Sequence, residues 1–282
     1  MKLAFLTGYN GRNFAGSQFQ PDKRTVEGEF IKAGQEFGLW SGAEDAHFRT
    51  AGRTDKGVSA RRQLITVTTE KPNLAIEALN FHLPDDIWCL GAARVSDEFY
   101  ARFAVSERVY RYYFPYPADI AKMHDAAQLF LGEHNFSGFS RMEAGRDPVR
   151  TVLSAKVFAS PRSMPVFEVS AKSFLWNMVR GMAGLLQVIG LGLAEPQVIE
   201  KQLTAPEYRV HPAPAEGLVY WDSITDIDFA PMRQKRETNR ALAREVHAFR
   251  TGLFASEALL EDESGPYHLA QVKRDYASYL QK

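Results

Sequence analysis

One cysteine in 282 residues, Cys89, excludes a disulfide framework within the chain and any cysteine-rich zinc site. Histidine offers no substitute: the seven in the chain show no metal-ligand spacing, which disfavours metal-dependent hydrolysis. Net charge is missing too, because 34 Lys and Arg balance 34 Asp and Glu. Any affinity for nucleic acid must therefore come from a local basic patch. Hydrophobic residues at 45% and charged residues at 24% are ordinary for a globular chain, and the length suits two modest domains or one large one. The opening Met1-Lys2-Leu3-Ala4-Phe5-Leu6 is too short for the apolar core of a signal peptide and alternates like a strand, so a cytoplasmic location is expected. One long apolar run exists, residues 174–193, polar only at Asn177, Arg180 and Gln187. Its central arginine and its glycines argue for a buried core helix and not a membrane span, with Gly181 and Gly184 allowing close packing.

What is present gathers around Ala51-Gly52-Arg53-Thr54-Asp55-Lys56-Gly57-Val58-Ser59-Ala60. Five cations (Arg49, Arg53, Lys56, Arg61, Arg62) surround one anion, Asp55. Those charges favour the ionised carboxylate. Gly52 and Gly57 bracket it and can supply positive φ or close backbone approach. The β-branched run Leu64–Thr69 then reads as a strand, which displays the carboxylate at the mouth of a sheet. A charged carboxylate in a basic loop can serve as nucleophile or base on an anionic substrate. An ordinary surface ion pair is the plainer reading of such a loop taken alone.

In chain order, Lys2–Tyr9 reads as a strand closed by Asn10-Gly11. Thr25 is placed to cap a helix with Val26, Phe30, Ala33 and Phe37 on one face. A second helix over 74–81, a turn at Leu83-Pro84-Asp85-Asp86-Ile87 and a strand over 88–95 complete a β-α-β-α-β half. Arg108-Val109-Tyr110-Arg111-Tyr112-Tyr113-Phe114 reads as a strand with Tyr110, Tyr112 and Phe114 on one face. Aromatics interleaved with arginine suit base stacking and phosphate contact, and suit a core face equally. A helix over 120–130 and strands over 151–159 and 166–171 follow. The tail from Arg233 to Arg250 holds six cations against two acids and has helical character, as does the segment 270–280. It can track phosphates or lie as a solvated helix. The expected domains are residues 1–104, carrying the Asp55 loop, residues 105–231, and a helical extension over 232–282. No low-complexity linker separates the first two, so a shared core is expected.

Arg180 is the second informative residue. An arginine on an apolar helix needs a carboxylate or carbonyls to offset its desolvation. Asp55 is the carboxylate in this chain that wants a cation. A snorkelling arginine at a helix edge is the alternative.

The Asp55 stretch resembles the Gly-Arg-Thr-Asp-x-Gly-Val signature of the tRNA pseudouridine synthase A family. Companion stretches occur in family order over residues 1 to 221. They include Phe14-Ala15-Gly16-Ser17-Gln18, Leu83-Pro84-Asp85-Asp86-Ile87, Ala101-Arg102-Phe103, Tyr110-Arg111-Tyr112, the run from Phe174 to Arg180, and Ala213-Pro214-Ala215-Glu216-Gly217-Leu218. Ser17 stands where bacterial members usually carry Trp, Ser59 stands where many carry His, and the tail after Pro231 lies outside the resemblance.

The resemblance implies an α+β fold: two RRM-like α/β halves joined through a largely antiparallel central sheet, helices outside, and an active-site cleft between the halves. It implies that Asp55 is the catalytic residue and that Arg53 helps extrude the target nucleotide. Tyr110 would stack on the base, Arg180 would pair with Asp55, and Leu218 would wall the pocket. The implied activity is isomerisation of uridine to pseudouridine in the tRNA anticodon stem-loop, at positions 38 to 40, through a flipped-out base. No metal or cofactor is implied, no membrane, and a homodimer is. Two other readings stay open at this point: a non-catalytic RNA-binding α+β module, and a synthase acting on another RNA site. A glycosidase-like hydrolase would need a second carboxylate, which the basic loop does not offer.

Overall fold

The computed structural model describes residues 1–262 and 265–266. The fold is mixed α+β, with mostly antiparallel strand pairing and helices outside the strands. The chain runs β1 (Lys2–Tyr9), α1 (Val26–Glu36), α2 (Ala43–Ala46), β2 (Arg49–Thr50), β3 (Ser59–Thr68), α3 (Pro72–His82), β4 (Ile87–Val95), α4 (Ala101–Ala104) and β5 (Glu107–Tyr113). There follow α5 (Ile120–Gln128), β6 (Gly132–Asn135), β7 (Val149–Ala159), β8 (Pro165–Ala171), α6 (Met178–Gly190), α7 (Gln197–Thr204), β9 (Leu218–Ile224), β10 (Ala230–Pro231) and α8 (Arg236–Leu260). Contacts group these into two compact units: Met1–Tyr110 with Leu218–Leu242, and Arg111–Gly217 with the described residues from Ala243 onward.

In the first unit the strand order is β10-β4-β1-β3-β9, with β2 also on β3. β1 is paired on both edges, and its side chains from Leu3 to Tyr9 are buried. The β3–β9 pairing is parallel, joining Ser59 to Val219 and Ala60 to Tyr220. α1 forms where its sequence provides a cap. Thr25 Oγ1 accepts from Gly28 N at 3.1 Å, and Glu27 and Glu29 occupy the positive first turn. Val26, Phe30 and Ala33 are buried, and Phe30 meets Phe5 edge-on at 6.0 Å. The expected β-α-β-α-β order is therefore present. Residues just past β10 are tied to this unit. Gln234 Nε2 donates to Cys89 O at 2.7 Å, and Lys235 Nζ pairs with Asp85 at 3.0 Å. α8 begins at Arg236 and runs on past Arg250; the helix expected over 270–280 lies outside the described residues.

In the second unit β8 pairs with β7 and β7 with β6. Every residue of β8 is buried, as in a strand covered on both faces. α6 packs closely: a Cβ on Gly181 would stand 2.4 Å from Phe139 O, and one on Gly184 would stand 2.5 Å from His211 O. The helix spans 13 residues, not the whole apolar run. Asn177 adopts φ 64°, a left-handed conformation that asparagine tolerates, and this breaks the run before Met178. β6 and α7 are too short to show a long hydrophobic period in the sequence. Among the described residues no helix is long and apolar enough to cross a membrane.

Glu168 sits on buried β8 with Arg111 Nε at 2.6 Å and Lys156 Nζ at 2.8 Å. Burial, the largest single influence, raises its pKa. The hydrogen bonds and charges of Lys156 and Arg111 together outweigh burial, so the net shift is downward. A depressed folded-state pKa contributes stability above the ordinary glutamate range, and that stability is lost as pH falls through the folded value. Acid titration of the melting temperature should therefore show a decline in that window that Glu168→Gln removes. An unchanged profile in the variant would contradict the assignment.

Candidate active site

The Asp55 loop is fixed by hydrogen bonds from three directions. Tyr9 Oη lies 2.8 Å from Thr54 Oγ1 and donates to Gln63 Oε1 at 3.0 Å. Gln63 Nε2 in turn donates to Gly52 O at 2.6 Å. Ser17 Oγ accepts from Thr54 N at 2.8 Å, and Ser17 N donates to Thr54 O at 3.1 Å. At the root of the loop, Arg108 donates to Ala51 O through Nε at 3.1 Å and Nη2 at 2.8 Å, and also to Val105 O and Arg102 O. Arg108 is 6% exposed, so a buried cation anchors that root.

Two glycines are required here for different reasons. Gly57 adopts φ +85° and turns the chain straight after Asp55, where Val58 N donates to Asp55 O at 3.1 Å. Gly11 does not have positive φ; a Cβ there would lie 2.0 Å from Val58 O, and its N–H donates to Ser59 Oγ. Asn10-Gly11 is thus a close approach to the loop as well as the end of β1. Gly52, expected to supply positive φ or a close approach, does not have positive φ.

The two departures from the family pattern acquire a role. Ser17 and Ser59 each hold backbone of the loop or of its Gly11 neighbour, which a bulky aromatic or imidazole would do differently.

Four of the five predicted site residues lie in the first unit. Asp55 is half-buried and Arg53 exposed on the same loop. Tyr110 is buried on β5, and a Cβ on Gly52 would be 3.9 Å from its hydroxyl. Leu218 is buried at the start of β9, next to the Val219 that pairs with Ser59 at the end of the loop. Arg180 lies in the second unit, in the first turn of α6. There its Nε donates to Ala213 O at 2.7 Å and its Nη1 to Asn177 Oδ1 at 3.3 Å.

Three phenols line the inner side of the loop. The Tyr110 and Tyr220 rings meet edge-on at 4.9 Å. Burial first, then the neighbouring Tyr220 and Tyr9, hold the Tyr110 hydroxyl well above the ordinary phenol value; Arg108 opposes the rise and Asp55 adds to it. Burial pushes Tyr220 up to about 12 and raises Tyr9 as well. These hydroxyls stay protonated at neutral pH, and that of Tyr9 already donates to Gln63 Oε1. The influence of Asp55 on Tyr110 also marks the two as electrostatic neighbours.

The arginine–aromatic strand resolves mostly in favour of the core. Tyr110, Tyr112 and Phe114 are buried, Arg108 serves the loop, and Arg111 serves Glu168. A separate open groove beside the loop is lined by Arg12, Lys23, Arg24 and Lys56. Arg24 is already engaged by Asp86 and Glu29, each at 2.7 Å, while the other three side chains are exposed. Sequence reasoning misses Tyr9, Ser17, Gln63 and Arg108 as supports. Only Ser17 carries a signal, its departure from the family residue.

A family model described as tRNA pseudouridine synthase matches residues 126–226. The tRNA pseudouridine synthase A of Methanocorpusculum labreanum is 67% identical over 99% of this chain and 100% of its own length. That of Methanoculleus marisnigri is 51% identical over 82% of this chain and 86% of its own. Among solved structures, a chain from "Structure of H/ACA RNP bound to a substrate RNA containing 2'-deoxyuridine" aligns at 15% identity with a TM-score of 0.30. That alignment covers 67% of this chain and 52% of the other, a likeness too loose to bear on the fold or the site.

Proposed function

The chain belongs to the tRNA pseudouridine synthase A family, and we propose that it isomerises uridine in the tRNA anticodon stem-loop with Asp55 as its catalytic carboxylate. The observation that carries the reading is the Asp55 loop itself: a half-buried carboxylate on backbone that Tyr9, Ser17, Gln63 and Arg108 hold at Thr54, Gly52 and Ala51, with neutral phenols beside the loop and exposed Arg53 flanking it. Such a group is pre-positioned and its surroundings need not reorganise during reaction. Isomerisation detaches uracil from C1′, turns it in the site and rejoins it through C5, so atoms balance without an outside reactant. Attack at C1′, addition at C6 and removal of the C2′ proton each ask for one carboxylate, and Asp55 is the group assigned to that step.

The target must leave its stack, which costs a few kcal/mol and is least costly in a loop or at a stem end. Arg53 is assigned to extrusion, since it stands exposed two residues from Asp55. Tyr110 is assigned to the base, Leu218 to the apolar wall, and Arg180 to steadying the Asp55 charge. A homodimer in the cytoplasm is the setting that the family resemblance favours.

The groove cations supply phosphate contacts in this reading. Binding should weaken steeply with salt, and replacing Arg12, Lys23 and Lys56 by Gln should reduce the slope of log affinity against log salt by roughly 2. An unchanged slope, measured by titrating tRNA at several ionic strengths, would remove the groove from the RNA path.

A further inference from the structure

α4 and its N-cap residue present two aromatic rings to solvent although their neighbours are locked in the core. Phe103 is 79% exposed and Tyr100 is 50% exposed, with ring centroids 5.6 Å apart. Between and beyond them Ala101 and Val105 are buried in one apolar cluster with Ala4, Ala51 and Leu64. The outward direction of Phe103 is therefore imposed by a fixed backbone and is not a loosely held end. The backbone is fixed twice over, because Arg108 donates to Arg102 O and Val105 O on α4 and its flank and to Ala51 O at the root of the Asp55 loop. One buried guanidinium thus ties the exposed rings to the catalytic loop. α4 also packs against β2, which carries the exposed Arg49, and Arg102 is exposed between the two rings. Asp97 and Glu98 lie on the preceding turn, so the surface is mixed in charge and the rings are its distinguishing feature.

We propose that Tyr100 and Phe103 form a stacking platform for an unpaired nucleobase of the RNA substrate, positioned relative to Asp55 through Arg108. The proposal rests on the reading of the chain as a tRNA-modifying enzyme, and deepens it by naming positioning residues outside the pocket. An aromatic face accepts any base, and an adjacent arginine meets the phosphate beside it. A base held there would fix the strand entering the site after the target has left its stack. Half or more of each ring's residue surface is open to solvent and available to a base.

The test uses full-length protein in the Asp55→Asn background, so that affinity is read without turnover. Phe103→Ala and Tyr100→Ala should each weaken binding of an anticodon stem-loop roughly tenfold, about the loss expected for one base–aromatic stack. Melting temperatures should not change. Phe103→Trp should restore affinity and show indole fluorescence quenched on adding the RNA, whereas Phe103→Leu, apolar but without a π face, should not restore it. Full affinity in Phe103→Leu, or indole fluorescence in Phe103→Trp that the RNA leaves unquenched, would overturn the platform. So would dissociation of an oligomer by Phe103→Ala, seen in sedimentation, which would make this face a contact between copies. The Asp55 reading is tested separately by turnover in the wild-type background and survives any of these failures.

Discussion

Asp55→Asn should form no measurable pseudouridine, a loss of at least roughly a thousandfold, while binding tRNA within about threefold of the wild type. The substitution keeps the size of the side chain, and the loop hangs on other groups: Thr54 on Tyr9 and Ser17, Gly52 on Gln63, Ala51 on Arg108. What is lost is the carboxylate. Single-turnover assays with radiolabelled tRNA read the chemistry, and filter binding reads the affinity. Turnover within about tenfold of the wild type would displace Asp55 from the reaction. Arg180→Met extends the experiment. It should lower single-turnover rates strongly while leaving tRNA affinity within about threefold of the wild type, because a cation that acts through Asp55 serves the chemistry and not the anchoring. A single-turnover rate within about tenfold of the wild type would separate Arg180 from Asp55.

Arg108→Met should be the most damaging change outside the pocket. It withdraws donors from three backbone carbonyls, Ala51, Arg102 and Val105, at a position 6% exposed. Leaving buried acceptors without donors costs about 1 to 3 kcal/mol each before any relaxation, so a stability loss of about 3 kcal/mol or more is expected. Activity should fall further than stability predicts at permissive temperature, since the Asp55 loop loses the anchor at its root. Arg108→Lys should recover part of the stability and little of the rate, because one ammonium cannot reach carbonyls on two sides as a planar fork does. Denaturant melts and rates measured on the same preparations check both statements. Wild-type stability in Arg108→Met would mean that the buried fork does not hold the loop.

The legible parts of the chain are those governed by local rules. β1 alternates and is punctuated at Asn10, α1 has its cap at Thr25, and the strand around Tyr110 shows its two faces in the sequence. Asp55 stands out because one anion among five cations is unusual over so short a stretch. The supports of the loop are not legible, because each comes from a distant segment. Tyr9 reaches Thr54 across 45 positions and Arg108 reaches Ala51 across 57, and neither spacing has a local period. In the sequence Arg108 belongs with the aromatic strand as a phosphate contact, and burial gives it to the loop instead. The apolar run around Arg180 reads as one long helix. The left-handed Asn177 divides it, a conformation that depends on the strand and turn before it and not on hydrophobicity. The cationic groove is hidden for the same reason, since Arg12, Lys23 and Lys56 are brought together only by the fold.

The measurement closest to the central claim is site mapping of pseudouridine in unmodified tRNA incubated with the purified full-length protein, beside the Asp55→Asn variant. New pseudouridine at positions 38 to 40 of the anticodon arm with the wild type, and none with the variant, is the predicted result. Pseudouridine formed equally by both proteins, or formed only outside the anticodon arm, would contradict it.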